Sequence, residues 1–267
     1  MAIFDIVLPI YGAIAIGWLI VRLGWFSGAD MRVLGQYVMQ IALPALLFHA
    51  IATRDLAEVI HPGYMLTYLT GGLATVAVAY GWFTLTAPDR RRRAVAVMGA
   101  SCPNSGFIGY PLMLLLFPDL AGVILAQNML VENVVIIPLC LILMDLAEDR
   151  RDISVAHRLA GALLDLLKRP MVIALIAGIA ASLAGLTIPP AADRLLEMLA
   201  AAAAALALVV IGGALVGLPL HGNRLLAAQI AAAKLVLNPA MMAAAALALP
   251  ALGFALSPDL ATVAILS

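Results

Sequence analysis

Residues 101–111 read SCPNSGFIGYP, and they lie inside a run otherwise apolar enough to cross a lipid bilayer. Pro103 and Pro111 bracket Asn104, Ser105, Gly106 and Gly109. Pro103 removes a backbone donor and clashes with the preceding turn, and Pro111 disfavours helix at Tyr110. Gly106 and Gly109 tolerate backbone conformations closed to other residues. The pattern predicts a helix over 94–117 that unwinds around 103–107. Non-helical backbone at that depth persists only where protein or a water-filled cavity satisfies its polar groups. The break would also expose one half-helix N-terminus and one C-terminus, opposite partial charges that suit a charged ligand. The bland alternative is a structural kink, and Pro44, Pro138 and Pro239 are assigned to that class.

The rest of the chain supplies the bilayer. Its 267 residues are 65% hydrophobic and 11% charged, with a mean hydropathy of +1.10, where soluble domains carry about 25% charged residues. Runs near the roughly 20 residues a span requires fall at 3–21, 33–52, 64–86, 94–117, 121–144, 170–188, 195–218 and 225–249, with a last run from 259. They are too long for strands and do not alternate. The fold class is an all-α integral membrane protein. Residues 1–25 have neither a basic leader nor a small-residue cleavage site and read as a first span. A formal net charge of zero gives no case for nucleic acid. Cys102 and Cys140 lie in apolar runs, form no metal or disulfide framework, and read as packing residues rather than as a redox pair.

Basic residues set the orientation. With the N-terminus outside, twelve of them (Arg22, Arg32, Arg90–Arg93, Arg150, Arg151, Arg158, Lys168, Arg169 and Arg224) fall in inner loops, and only Arg54 and Arg194 fall outside. The run DRRRR at 89–93 is sufficiently explained as a topology signal, with an anionic-lipid site as its alternative. The expected location is the cell inner (plasma) membrane, with the loop around 145–169 in the cytoplasm.

Two halves are related. Pro9, Gly17 and Gly24 recur as Pro170, Gly178 and Gly185, each 161 residues later. Five spans precede the central loop, so the second half begins on the opposite side, the layout of inverted-topology repeats. The expected division is a first five-helix repeat at 1–148, a linker at 149–169 and a second repeat at 170–267. In the seventh span Gly213 and Gly217 form a small-xxx-small pair for close packing.

Polar residues occupy the fifth and eighth spans. Asn128 and Glu132 share a helix face. Glu132 lies about 14–17 Å from the outer end of its span and Lys234 about 14–15 Å from the inner end of its own. Isolated charge near the midplane costs about 2.5–3.5 kcal/mol. Three readings stay open: a structural ion pair, a neutral Glu132 with amide partners, or Glu132 as a proton-coupling carboxylate with Lys234 neutralising an anionic substrate. His49, near the outer end of the second span, reads as a packed or interfacial residue.

The stretch PNSGFIGYPLMLLLF, followed by ENVVIIPLCLILMD, resembles the auxin efflux carrier family of transporters. The pattern from Asn104 to Pro111 is that family's most distinctive stretch. Further similarity lies in LPALLFHAIA, RPMVIALIAGIAASLAGLTIPP and AKLVLNPAMM. The resemblance implies ten helices in two inverted five-helix repeats, with crossed broken helices in the fourth and ninth spans. It implies transport of small organic anions, auxin in plant members and dicarboxylates such as malonate or malate in some bacterial ones. The long central loop of the larger plant carriers is missing, as in bacterial members. The last run stops at Ser267, where a second crossover would begin, so the second repeat is expected to be truncated.

The leading function is a secondary transporter working by alternating access. The anion's carboxylate would sit at Asn104 and the amides near Ser105 and Gly106, with Asn128 and Lys234 as further binding residues and Pro103, Gly109 and Pro111 shaping the crossover. Its partners are the anion, the bilayer, protons or another coupling ion, and a second copy in a homodimer. A passive channel or sensor on the same fold is the alternative. An enzyme is disfavoured, because neither a Gly-x-Ser-x-Gly elbow nor a His-Glu-x-x-His pair occurs.

Overall fold

The computed structural model describes residues 3–147, 161, 167–218, 224–254 and 256–266, which are mostly helical and contain no strand. Besides one short turn of helix at Leu56–Val59, the helices in chain order are α1 (Ile3–Arg22), α2 (Gly28–Ala52), α3 (Pro62–Thr86), α4 (Arg90–Ser101), α5 (105–116), α6 (Pro118–Ala147), α7 (Pro170–Leu183), α8 (Pro190–Ala214), α9 (Arg224–Ala251) and α10 (Pro258–Leu266). Five of these, α2, α3, α6, α8 and α9, are long and apolar enough to cross a membrane, and α1 and α7 contribute shorter apolar helices. Most of the linker expected at 149–169 lies outside the described residues, including Arg150, Arg151 and Arg158.

Polarity is distributed as lipid requires. Thr67, Thr75, Asn128, Glu132, Asn133 and Asn238 are buried, whereas Leu85 is 86% exposed and Leu247 82%. Buried polar groups with exposed large apolar ones reverse the usual soluble pattern.

Four helices contain one wide turn whose closing bond runs from residue i to i−5. These bonds are Leu43 N to Val38 O in α2, Tyr110 N to Ser105 O in α5, Ile137 N to Glu132 O in α6 and Asn238 N to Ala233 O in α9. A proline follows each turn by two residues: Pro44, Pro111, Pro138 and Pro239. The cause is local. Proline has no N–H, and its ring displaces the carbonyl four residues back, so the preceding N–H reaches one residue further. This corrects the expectation for Pro111: Tyr110 is helical, and Pro111 widens its helix as the other three prolines do.

The described residues form two compact units, each drawing helices from both 1–148 and 170–267. The first comprises Met1–Ile60, Asn104–Gln127 and Lys168–Pro219. Here α1 and α8 pack backbone to backbone: a Cβ on Gly17 would strike the carbonyl of Val209, and one on Gly212 the carbonyl of Ile14. A Cβ on Gly178 would lie 3.3 Å from the carbonyl of Phe48. The two contacts are reciprocal, since Gly17 and Phe48 each lie 161 residues before Gly178 and Val209. Helix ends match as well. Gly24 (φ 76°) and Gly185 (φ 60°) take left-handed conformations. Trp25 N bonds Ile20 O and Leu186 N bonds Ala181 O, both at 3.0 Å, closing equivalent Schellman turns. The left-handed turn at Gly185 ends α7 at Leu183, short of the expected 188. Gly213 packs against Met31, but Gly217 (φ 76°) follows the end of α8 and is not a packing partner.

The second unit comprises His61–Pro103, Asn128–Leu167 and Leu220–Ser267. Gly71 meets Met242, and Thr75 donates to Asn238 Oδ1 at 3.1 Å. Advancing four residues along α3 thus retreats four along α9, so these helices are antiparallel.

Candidate functional site

One proline makes the break. The helix α4 ends at Ser101. Cys102, forced out of the helical region by the proline after it, sits at φ −83°, ψ 109°. Helix resumes at Ser105 with Asn104 as its cap. Asn104 Oδ1 accepts from Phe107 N at 3.3 Å, and the Asn104 carbonyl accepts from Ile108 N and Gly109 N at 3.0 Å. The unwound segment is therefore 102–104, shorter than expected. Ser105, Gly106 and Gly109 are buried and helical. Gly106 packs against Leu43, and a Cβ there would come within 2.9 Å of Leu43 Cδ1 and displace it. The chain passes between the compact units at Pro103–Asn104.

The first unit holds a cavity of about 390 Å³ lined by Arg32, Gln36, Gln40, Phe107 and Val210. Arg32, Gln36 and Gln40 recur every four residues on one face of α2. That polar stripe is legible in the sequence as an i, i+4, i+8 pattern, masked by the high mean hydropathy of the run around it. At another place in this unit His49 Nε2 lies 3.0 Å from Asp193 Oδ1. With Glu197, the ligand atoms of these residues fall within 4.8 Å of one another, a spacing that could hold a divalent cation, although Arg194 engages Glu197 at 2.9 Å.

In the second unit a two-rung polar ladder joins α3 to α6. Tyr64 donates to Asn128 Oδ1 and Tyr68 to Glu132 Oε1, both at 2.7 Å. Each partner pair is one helical turn from the next, so α3 and α6 run parallel here, and the tyrosine rings stack at 6.0 Å. Asn133 turns back to the carbonyl of Met129 at 2.8 Å. Sequence spacing could have flagged the tyrosines, which repeat the i, i+4 interval of Asn128 and Glu132, but not their pairing. Lys234, in the wide turn of α9, directs its ammonium at the carbonyls of Gly99 and Cys102. It thereby places positive charge on the negative end of α4.

A break inside an apolar helix and buried polar side chains on membrane-length helices are features that transporters share. A family model described as a membrane transport protein matches residues 2–266. The chain belongs to the auxin efflux carrier family. Relatives of this family member include a "Putative malonate transporter" of Rhizobium meliloti (strain 1021), 28% identical over 251 residues, 90% of this chain and 75% of that protein. The "Uncharacterized transporter YfdV" of Escherichia coli (strain K12) is 26% identical over 213 residues, 77% of this chain and 66% of that one. An "Uncharacterized transporter" of Methanothermobacter thermautotrophicus is 28% identical over 111 residues, 40% of this chain and 36% of its own. As an auxin efflux carrier family protein, this chain is a multi-pass membrane transport protein with a small-molecule substrate.

Proposed function

We propose that the protein is a secondary transporter of a small organic anion, a dicarboxylate of malonate or malate size, working by alternating access. The observation carrying this reading is the break at 102–104, whose half-helix N-terminus is capped by Asn104. A carboxylate fits such an end, where backbone N–H groups and the helix dipole favour negative charge. Asn104 presents its NH2 to the anion because its oxygen serves the cap, and the backbone at Ser105 and Gly106 adds donors. In the second unit Glu132, reached by Tyr68, is the candidate proton carrier. The name of the Rhizobium meliloti relative supports the choice of malonate.

We infer that 1–148 and 170–267 are inverted repeats joined by the 149–169 linker. The reciprocal glycine contacts and matched Schellman turns, all at the 161-residue offset, support this. The basic residues support an external N-terminus in the inner membrane. With Asp152→Cys as the labelled position, reaction with an impermeant maleimide should require permeabilised cells.

The functional test is counterflow of radiolabelled malonate, malate and indole acetate into proteoliposomes. Transient accumulation above equilibrium supports a carrier. Flux that only dissipates the gradient supports a channel and overturns the proposal.

A further inference from the structure

We propose that Cys102 and Cys140 form a redox-active dithiol that closes to an intramolecular disulfide at the break in the fourth span. Both residues belong to the second unit, and both are free thiols. They are 38 residues apart in sequence, yet their sulfur atoms lie 3.8 Å apart. Cys140 is a fully buried packing residue, and the contact brings the Cys102 thiol onto it.

The surroundings orient the pair. Cys102 donates its S–H toward Cys140 Sγ. Cys140 Sγ lies 3.4 Å from Ser101 Oγ, and Ser101 gives its own proton to the Val97 carbonyl at 2.7 Å. Ser101 Oγ is thus left as the acceptor for the Cys140 thiol. A disulfide requires a sulfur separation of about 2.05 Å, so the atoms must approach further. Cys140 is 0% exposed on a regular stretch of α6. Cys102 is half-buried at the start of the unwound 102–104 segment, where its backbone leaves the helical region although its N–H still reaches the Met98 carbonyl. Movement and reagent access therefore belong to Cys102.

The chemistry balances with a hydroperoxide as oxidant. Two S–H bonds and the O–O bond break, and one S–S bond forms. Both electrons and both protons go to the oxygens, leaving an alcohol and water. Diamide serves equally, its N=N bond accepting both hydrogens to become a hydrazine. The product ties the unwound segment covalently to α6.

Because the chain contains two cysteines, thiol counting reads the reaction directly and does not depend on transport. Reduced protein is treated with diamide or with the smaller hydrogen peroxide. It is then denatured and alkylated with maleimide-polyethylene glycol. The monomer should pass from two adducts to none and return to two with dithiothreitol. Cys102→Ser and Cys140→Ser should each retain their one adduct under the same oxidation. Intact mass of the wild-type protein should fall by two hydrogens, a measurement that stands even if a variant misfolds. Two adducts persisting after both oxidants, thiol loss in the single variants at the wild-type rate, or a linked dimer in place of the monomer would each overturn the proposal.

Discussion

Tyr68 donates its phenolic hydroxyl to Glu132 Oε1 at 2.7 Å, and both side chains are buried. The bond holds an acidic group in an apolar span, where isolated charge is expensive. One turn away, Tyr64 makes a bond of the same length to a neutral amide. A hydrogen bond to a charged group is worth about 1.5–3 kcal/mol and one between neutral groups about 0.5–1.5 kcal/mol. At neutral pH Tyr68→Phe should therefore cost more stability than Tyr64→Phe. Unfolding of both variants in detergent decides the matter, and equal losses would mean that Glu132 is not held as a carboxylate.

Glu132→Gln keeps the shape of the side chain and an acceptor for Tyr68 but removes the exchangeable proton. Net uptake should lose its pH dependence while substrate exchange in counterflow continues. An unchanged pH profile would reduce Glu132 to a structural partner.

Lys234→Met should destabilise the protein by about 2 kcal/mol, the upper range for a cation at a helix C-terminus. The Gly99 and Cys102 carbonyls lose their donor, and Lys234→Gln, which retains an N–H, should recover part of the loss. Wild-type stability in the Met variant would show that the ammonium does not cap α4.

Asn104 caps the half-helix and is the proposed anion contact, two roles that a single substitution can separate. Asp is as good a helix cap as Asn, so Asn104→Asp should unfold like the wild type. It lacks the NH2 and adds negative charge, so malonate counterflow should drop at least tenfold. Normal counterflow in this variant would remove Asn104 from the binding site.

The glycines of the first unit predict a graded series. Gly17→Ala drives a Cβ onto the Val209 backbone and should cost at least the about 1–3 kcal/mol typical of overpacking. At Gly178 the added carbon meets Ile51 Cβ at 3.1 Å and should cost less. Gly12 has nothing within 4 Å, and Gly12→Ala should be neutral or stabilising by up to about 1 kcal/mol. Unfolding temperatures in the reverse order would contradict the packing of α1 on α8.

What the sequence determined by itself was local in origin. The apolar runs and the break around Pro103 follow from covalent properties of residues within a few positions, and the glycine repeat at a 161-residue offset is read from the sequence directly. The wide turns before Pro44, Pro111, Pro138 and Pro239 were also within reach, because each arises from one ring displacing one carbonyl. The structure alone decided the partnerships of Tyr68 with Glu132, Lys234 with Cys102 and Cys102 with Cys140, separated by 64, 132 and 38 residues. In lipid, one apolar helix face is much like another, and burial gives little preference among neighbours. The choice falls to close glycine approaches and to polar groups that must find one another, contacts that exist only once the helices are packed.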